Sequence, residues 1–400
     1  RNQLPLETTW VRKYDRTLNV PNSDEKWTDV NNGTLAQGQA YEISQPKPAT
    51  YRFIGELNTA DFTFPVDGMA SATNYQDMNI LANPYTGAMS IDKLDFSGAT
   101  AADKVVYLFN TGSRKDWIAN SGPTTNGTTQ GQYTKAIPAN LAGHVAGMPN
   151  QIPSLSSFMV KSTAAGNLKY RYADLVTATE ENRAPQRHFH SLAVDVESAK
   201  TADRLWLVQA EGTTDRYDNG WDGEKIFAPG EAALYAMQDR SYQVTTTDAI
   251  GETKVGFVPG DGEQNYKLTF HLDGGDGTQQ YTLLDKRTGL TRAIHDGDTY
   301  EFTATKGDAA HRFTILGNGA KATADQRGFQ ISADLRRNFT VKNFTDQPAE
   351  ALVFDAAGKI QARFTVEPGS ENTGTVVMPG AYVVRVSNKV TTLTQRFVMP

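Results

Sequence analysis

What most constrains this chain is the spacing of residues that break regular structure. Thirty-four glycines and 17 prolines are scattered between short runs rich in Val, Tyr, Phe and Thr, and no long stretch keeps a helical period. That pattern predicts an all-β fold of tandem antiparallel β-sandwich or jelly-roll modules followed by a small Ig-like β-sandwich. Predicted strands include Gln39 to Ile43, Thr50 to Gly55, Val105 to Asn110, Ser156 to Lys161, Arg204 to Gln209, Tyr266 to Leu272, Tyr281 to Leu284 and Ala381 to Val386. A short helix over Ala173 to Asn182 is the one helical expectation, and its Thr and Val content disfavours it.

The charged, Pro-containing stretch Glu180 to Arg187 and the Gly-rich stretch Asn318 to Arg337 read as boundaries. They predict three domains, at 1–182, 188–318 and 338–400. In the last, Asp355-Ala356-Ala357-Gly358-Lys359 is a turn between Ala351–Phe354 and Ile360–Val366, with Gly where a positive φ is cheap. Met378-Pro379-Gly380 and Asn388-Lys389 are the next turns, so the tail reads as an antiparallel meander.

A net charge of −6 with pI near 5.6 offers no basic field for nucleic acid, which is excluded as a partner. Zero cysteines rule out disulfides, thiolate catalysis and Cys-based metal sites. Mean hydropathy is −0.50, and no apolar run of membrane-spanning length occurs. The start at Arg1-Asn2-Gln3 reads as a piece of something longer.

The tail resembles the C-terminal sorting domain of the type IX secretion system of Bacteroidetes. The resemblance rests on Phe354-Asp355-Ala356-Ala357-Gly358-Lys359, on Pro379-Gly380-Ala381-Tyr382-Val383-Val384-Arg385-Val386 and on Thr392 to Val398, with Asp355, Gly358, Lys359, Gly380 and Tyr382 as the motif residues. Met399-Pro400 and Phe397 depart from the family pattern. Residues 80–86, Ile-Leu-Ala-Asn-Pro-Tyr-Thr, resemble a Gly-Asn-Pro-Tyr-Pro type surface module, with Ala82 and Thr86 as departures. Ala202 to Leu207, Tyr217 to Gly223 and Leu284 to Gly289 resemble a jelly-roll-like unit of the same bacteria. The resemblance implies an extracellular protein on the outer-membrane surface, with the type IX machinery and an outer-membrane lipopolysaccharide anchor as partners. It implies no reaction.

Tyr217 to Gly223 is also the densest polar and aromatic stretch. Asp215, Asp218, Asn219 and Asp222 offer hard oxygen ligands suited to Ca²⁺, although the spacing is not that of an EF-hand. The competing reading is a structural turn in which these side chains satisfy backbone groups. His188 and His190 fall on one strand face with no evident third ligand. Trp117 and Trp221, in turn-rich contexts, are candidate platforms for stacking sugar rings, whereas Trp206 reads as core. No nucleophile elbow, zinc helix or phosphate loop occurs, and no carboxylate pair stands out for glycoside hydrolysis. The expectation is a non-catalytic structural or adhesive surface protein, an adhesin or a surface-layer or matrix subunit, capable of self-association. The alternative is a set of glycan-binding accessory modules of a larger secreted enzyme.

Overall fold

The computed structural model describes residues 10–21, 23–30, 35–44, 55–69, 75–110, 132–176, 189–199, 201–228, 230–275, 277–317, 328–333, 337–345, 347–389 and 392–399. Among them there are strands and a few single 3-10 turns, and no α-helix. The all-β expectation holds. Of the predicted strands, Val105–Asn110 is met residue for residue, and Ser157–Lys161, Asn265–Asp273, Tyr281–Asp285 and Gly380–Ser387 to within a residue or so. Residues 50–54 of another lie outside the described residues. The helix is corrected: Tyr172–Asp174 makes one 3-10 turn, and Leu175 bridges to Met89 in extended conformation. The remainder of that stretch, from 177, lies outside the described residues, as do 180–187 and 318–327.

The chain forms two compact units. The first comprises Arg1–Leu192, Leu205–Glu231 and Asp239–Asp248. Its four-stranded antiparallel sheet runs in the order Met78–Ala82, Ser157–Lys161, Val105–Asn110, Gln132–Pro138, and a three-stranded sheet runs Phe62–Val66, Gly166–Tyr170, Asp95–Gly98. Side chains alternate in the second sheet: Phe64, Val66, Leu168 and Tyr170 are buried while Thr63, Pro65 and Lys169 face out. This is the period-2 pattern of a sheet with one covered face. Phe64 meets Phe158 of the four-stranded sheet edge to face at 5.6 Å, so the two sheets pack as a sandwich. Full burial of each such ring is worth about 1.5–3 kcal/mol. In the Ile80–Thr86 motif, Asn83 Nδ2 donates to the carbonyls of Gly87, Ile152 and Pro153 at 2.9 to 3.0 Å, and Oδ1 accepts the Tyr85 N–H at 2.9 Å. The motif therefore pins two turns together.

One ladder departs from the antiparallel expectation. Trp206 to Gln209 pair in parallel with Val244 to Thr247, and Trp206 is fully buried, as expected.

The second unit comprises Ala193–Arg204, Ala232–Gln238 and Ala249–Pro400. Its strands Leu290–Ile294, Tyr281–Asp285, His311–Gly317, Glu252–Val258 and Ala233–Met237 lie side by side in that order, and Asn265–Asp273 pairs with Thr299–Thr303. Phe257, Tyr266, Phe302 and Phe313 interlock at 4.8 to 5.5 Å between ring centres. Beside them Arg312 and Asp285 form a buried ion pair at 2.9 Å that also receives the Tyr300 hydroxyl at 2.8 Å. A buried pair is tolerated only when its remaining hydrogen bonds are filled in this way.

The C-terminal strands form a small sandwich around Phe339, Val341, Val353, Tyr382, Val384 and Val386. One sheet runs Phe329–Ala333, Asn338–Asn343, Glu371–Thr375, the other Ile360–Val366, Ala349–Asp355, Gly380–Ser387, Thr392–Met399. The Ig-like expectation holds but the simple meander does not. Glu371–Thr375 crosses to the opposite sheet, and Ala349–Asp355 takes both Ile360–Val366 and Gly380–Ser387 as neighbours.

Candidate functional site

The Tyr217 to Gly223 stretch is shaped by its own turn chemistry. Trp221 and Asp222 both donate their N–H to the Asp218 carbonyl, at 2.9 and 3.0 Å. Gly220 sits inside this turn at φ +89°, a left-handed conformation that costs a residue with a Cβ about 1–2 kcal/mol. A Cβ there would also come within 3.1 Å of Asn140 Nδ2.

Each of the four residues singled out from sequence has a side-chain oxygen engaged as an acceptor. Asp222 is fully buried. Its Oδ1 accepts the Thr246 N–H at 2.7 Å and the Thr246 hydroxyl at 3.1 Å, and its Oδ2 accepts the Asp218 N–H at 2.7 Å. Asp218 Oδ2 accepts the Thr214 N–H and hydroxyl at 2.6 and 3.0 Å. Asn219 accepts the Lys104 N–H at 2.7 Å and donates to the Ala102 carbonyl at 3.1 Å. Asp215 accepts the Thr247 hydroxyl at 3.2 Å. Burial pushes the Asp222 carboxyl up to about 6, outweighing the hydrogen bonds that favour its charged form. Among the described residues no group of three or more His, Cys, Asp or Glu is placed to hold a metal ion.

Immediately after the turn, Gly223 and Glu224 pair with Val244 and Tyr242. A Cβ on Gly223 would lie 2.7 Å from the Ala136 Cβ, so only Gly admits this close approach. Glu224 then reaches two cations, Lys161 Nζ and Arg240 Nη1, each at 2.7 Å. Burial raises its carboxyl, but Lys161 and then Arg240 outweigh that and hold it below the usual range. The Arg240 guanidinium lies 4.3 Å from the Tyr217 ring centre, and Tyr217 stacks on Tyr242 with planes 5° apart. Asp103 is pushed up by burial beside Tyr217. This cluster fastens the stretch onto strands Val105–Asn110 and Ser157–Lys161. Sequence reasoning missed Lys161, Glu224 and Arg240. No local signal marks them, because Lys161 lies 63 residues from its partner.

Trp221 is half-buried and meets Phe189 edge to face at 5.7 Å. Trp117 and His188 lie outside the described residues. In the tail, Asp355 Oδ1 accepts the N–H groups of Ala357 and Lys359, both at 2.9 Å, and Gly358 supplies φ +78°. Gly380 opens its strand opposite Met399. Tyr382 is buried against Phe339 and its hydroxyl donates to the Met378 carbonyl at 2.6 Å.

The first unit also carries an open cleft of 580 Å³ whose lining includes Asp61, Asp92, Lys169, Tyr170, Arg171 and Asp174. Asp174 accepts both arms of Arg171 at 2.7 and 2.8 Å, and Asp61 Oδ1 accepts the Tyr172 N–H at 2.9 Å. The Tyr172 ring, tilted against Tyr85 at 5.8 Å, is 40% exposed.

A family model described as a domain of unknown function (DUF8693) matches residues 3–316. The chain belongs to this family. It is 30% identical over 403 aligned positions to the minor fimbrium subunit Mfa5 of Porphyromonas gingivalis, an alignment that covers 95% of this chain and 32% of that relative. The chain thus spans about a third of the relative's length. Solved structures align poorly: a Faecalibacterium prausnitzii beta-glucuronidase has TM-score 0.18 at 14% identity, over 54% of this chain and 47% of that one. The BSP domain of a biofilm associated protein has TM-score 0.16 at 8% identity, over 86% and 67%. Neither likeness carries an argument about this DUF8693 chain.

Proposed function

We propose that this chain is a non-catalytic, structural or adhesive part of a cell-surface protein of the fimbrial kind in a Bacteroidetes bacterium. The observation that carries the reading is the 30% identity to a minor fimbrium subunit along 95% of the chain. The sequence of the tail supports a finer reading, in which residues 338–400 are a type IX sorting domain that delivers the protein to the outer-membrane surface. The Asp355 turn and the buried Tyr382 are the ordered elements an export machinery would read. The test is fractionation and immuno-electron microscopy of the producing bacterium. Surface or fimbrial labelling is expected, with retention in the periplasm when residues 338–400 are deleted. Cytoplasmic protein would overturn the surface reading, and unchanged surface display after the deletion would overturn the sorting reading alone.

A second reading, glycan binding, draws on the cleft carboxylates Asp61, Asp92 and Asp174 and on the exposed ring of Tyr172, whose backbone N–H is bonded to Asp61. It predicts hits on a glycan array that disappear in Tyr172→Ala and persist in Trp221→Ala. An array without hits sinks it.

A further inference from the structure

On the sheet of the second unit, three cationic or titratable side chains lie near one another, and among the described residues none of them forms an ion pair with a carboxylate. Lys254 lies on Glu252–Val258 directly opposite Thr314 of His311–Gly317, and Lys286 follows Tyr281–Asp285, its N–H bonded to the Arg312 carbonyl at 2.9 Å. A register shift between Val255 and Gly256 alters the alternation of the facing strand, as bulges do. His311 and Thr314 consequently reach the same side, with Nε2 3.3 Å from the Thr314 hydroxyl, while Nδ1 stands 3.4 Å from Lys286 Nζ.

An ammonium can only donate, so Nδ1 is the acceptor and the imidazole is neutral, its proton on Nε2. Burial, then Lys286 and Lys254, hold His311 down at about 4, and burial, then Lys254, lowers Lys286. Glu252 is the acid that acts on both in the opposite direction, and it wins at neither. The arginines on either side are differently treated: Arg287 meets Asp308 at 2.6 Å and Arg312 meets Asp285 at 2.9 Å. Among the described residues neither Lys254 nor Lys286 forms an ion pair with a carboxylate. A half-buried lysine beside a second lysine is an unfavourable arrangement in the unliganded chain, and a bound anion relieves it.

We propose that Lys254, Lys286 and His311 form a binding site for an oxyanion of the phosphate or sulfate type. Two ammonium groups match a dianion better than a single carboxylate, and Lys286 keeps two N–H groups free after serving His311. A seated anion offsets the repulsion around the imidazole, so His311 gains a proton more readily. By reciprocity the anion binds more tightly as pH falls.

The test titrates the full chain with inorganic phosphate and, separately, with sodium sulfate, at ionic strength fixed with chloride. The His311 ring proton, assigned from His311→Asn, is followed by NMR from pH 7.5 to 5.5. The expected result is a saturable shift, a tighter dissociation constant at the lower pH, and weakening by about tenfold or more in Lys286→Gln, the effect of one lost charged hydrogen bond. The exposed Lys254→Gln weakens binding in the same direction and keeps the test available if Lys286→Gln does not fold. Saturation by one anion alone names the ligand class. A shift that rises linearly and equally with chloride, or a folded Lys286→Gln with unchanged affinity, overturns the site.

Discussion

The stretch from Thr214 to Glu224 and the lysine cluster on the second unit are both half-hidden groups of charge, and they are finished differently. In the first, every carboxylate oxygen that geometry brings inside is met by a donor of the same chain, down to the backbone N–H groups of Asp218 and Thr246. In the second, among the described residues neither Lys254 nor Lys286 forms an ion pair with a carboxylate, and Glu252 does not offset the burial of Lys286. Charges completed internally hold a fold together, while charges left incomplete store an unfavourable term that a ligand can remove. Density of charged residues in a sequence does not separate the two cases. Completion of their partners does.

The largest expected effect tests the completed side. Asp222→Ala orphans three donors, two of them backbone, and should cost about 3 kcal/mol of unfolding free energy in urea. A loss under about 1 kcal/mol would mean these acceptors are not what holds the turn, since a single hydrogen bond is worth that much. Next, Gly223→Val forces carbon into the space held by Ala136 and should cost about 2 kcal/mol by overpacking. Denaturation of this variant with an unchanged midpoint would show that the strand Gly223–Glu224 yields easily.

The two regions should also respond to pH with opposite signs. The Asp222 carboxyl is raised from 3.8 to about 6, so its contribution is fully present below 3.8 and lost as pH rises through 6, by at most about 1.4 kcal/mol per pH unit. His311 is lowered from 6.5 to about 4, so its contribution is present above 6.5 and lost as pH falls through 4. Peptide-resolved hydrogen exchange at pH 4.5 and 7, corrected for intrinsic rates, should show 214–246 better protected in acid and 311–317 worse. Asp222→Asn should remove the first trend only. Trends of equal sign would break the comparison. The smallest effect belongs to Lys286→Gln, which removes an uncompensated charge and should leave stability within about 0.5 kcal/mol or raise it. A loss above about 1 kcal/mol would make Lys286 a structural residue.

Local features of the fold were legible in the sequence. The Asp355 to Lys359 turn follows from Asp at its start and Gly358 at the left-handed position, with Asp355 Oδ1 taking N–H groups two and four residues on. Strands such as Val105–Asn110 follow from β-branched and aromatic runs between breakers. What escaped was pairing over distance. The parallel ladder of Trp206 with Val244, the crossing of Glu371–Thr375 and the meeting of Lys161 with Glu224 are decided by which strands share a face, and no residue announces its remote neighbour. The same holds for Lys254, Lys286 and His311, which lie on or just after three different strands and read individually as ordinary surface residues. Asp215, Asp218, Asn219 and Asp222 were legible as oxygen donors, but whether their lone pairs were taken depended on Thr246, Lys104 and Thr214.

The first unit is written discontinuously along the chain, for it takes in Leu205–Glu231 and Asp239–Asp248 as well as Arg1–Leu192. The Gln243 side chain accepts the Ala136 N–H at 2.9 Å, and Val244 to Thr247 provide the partner for Trp206 to Gln209. A polypeptide made from its N-terminus onward therefore waits, with its first unit incomplete, until residue 248 has emerged. Such late closure is slow, because the loops must be ordered before their contacts form. Under the proposed surface reading, the interval between synthesis and closure is time in which the chain can still be threaded across a membrane.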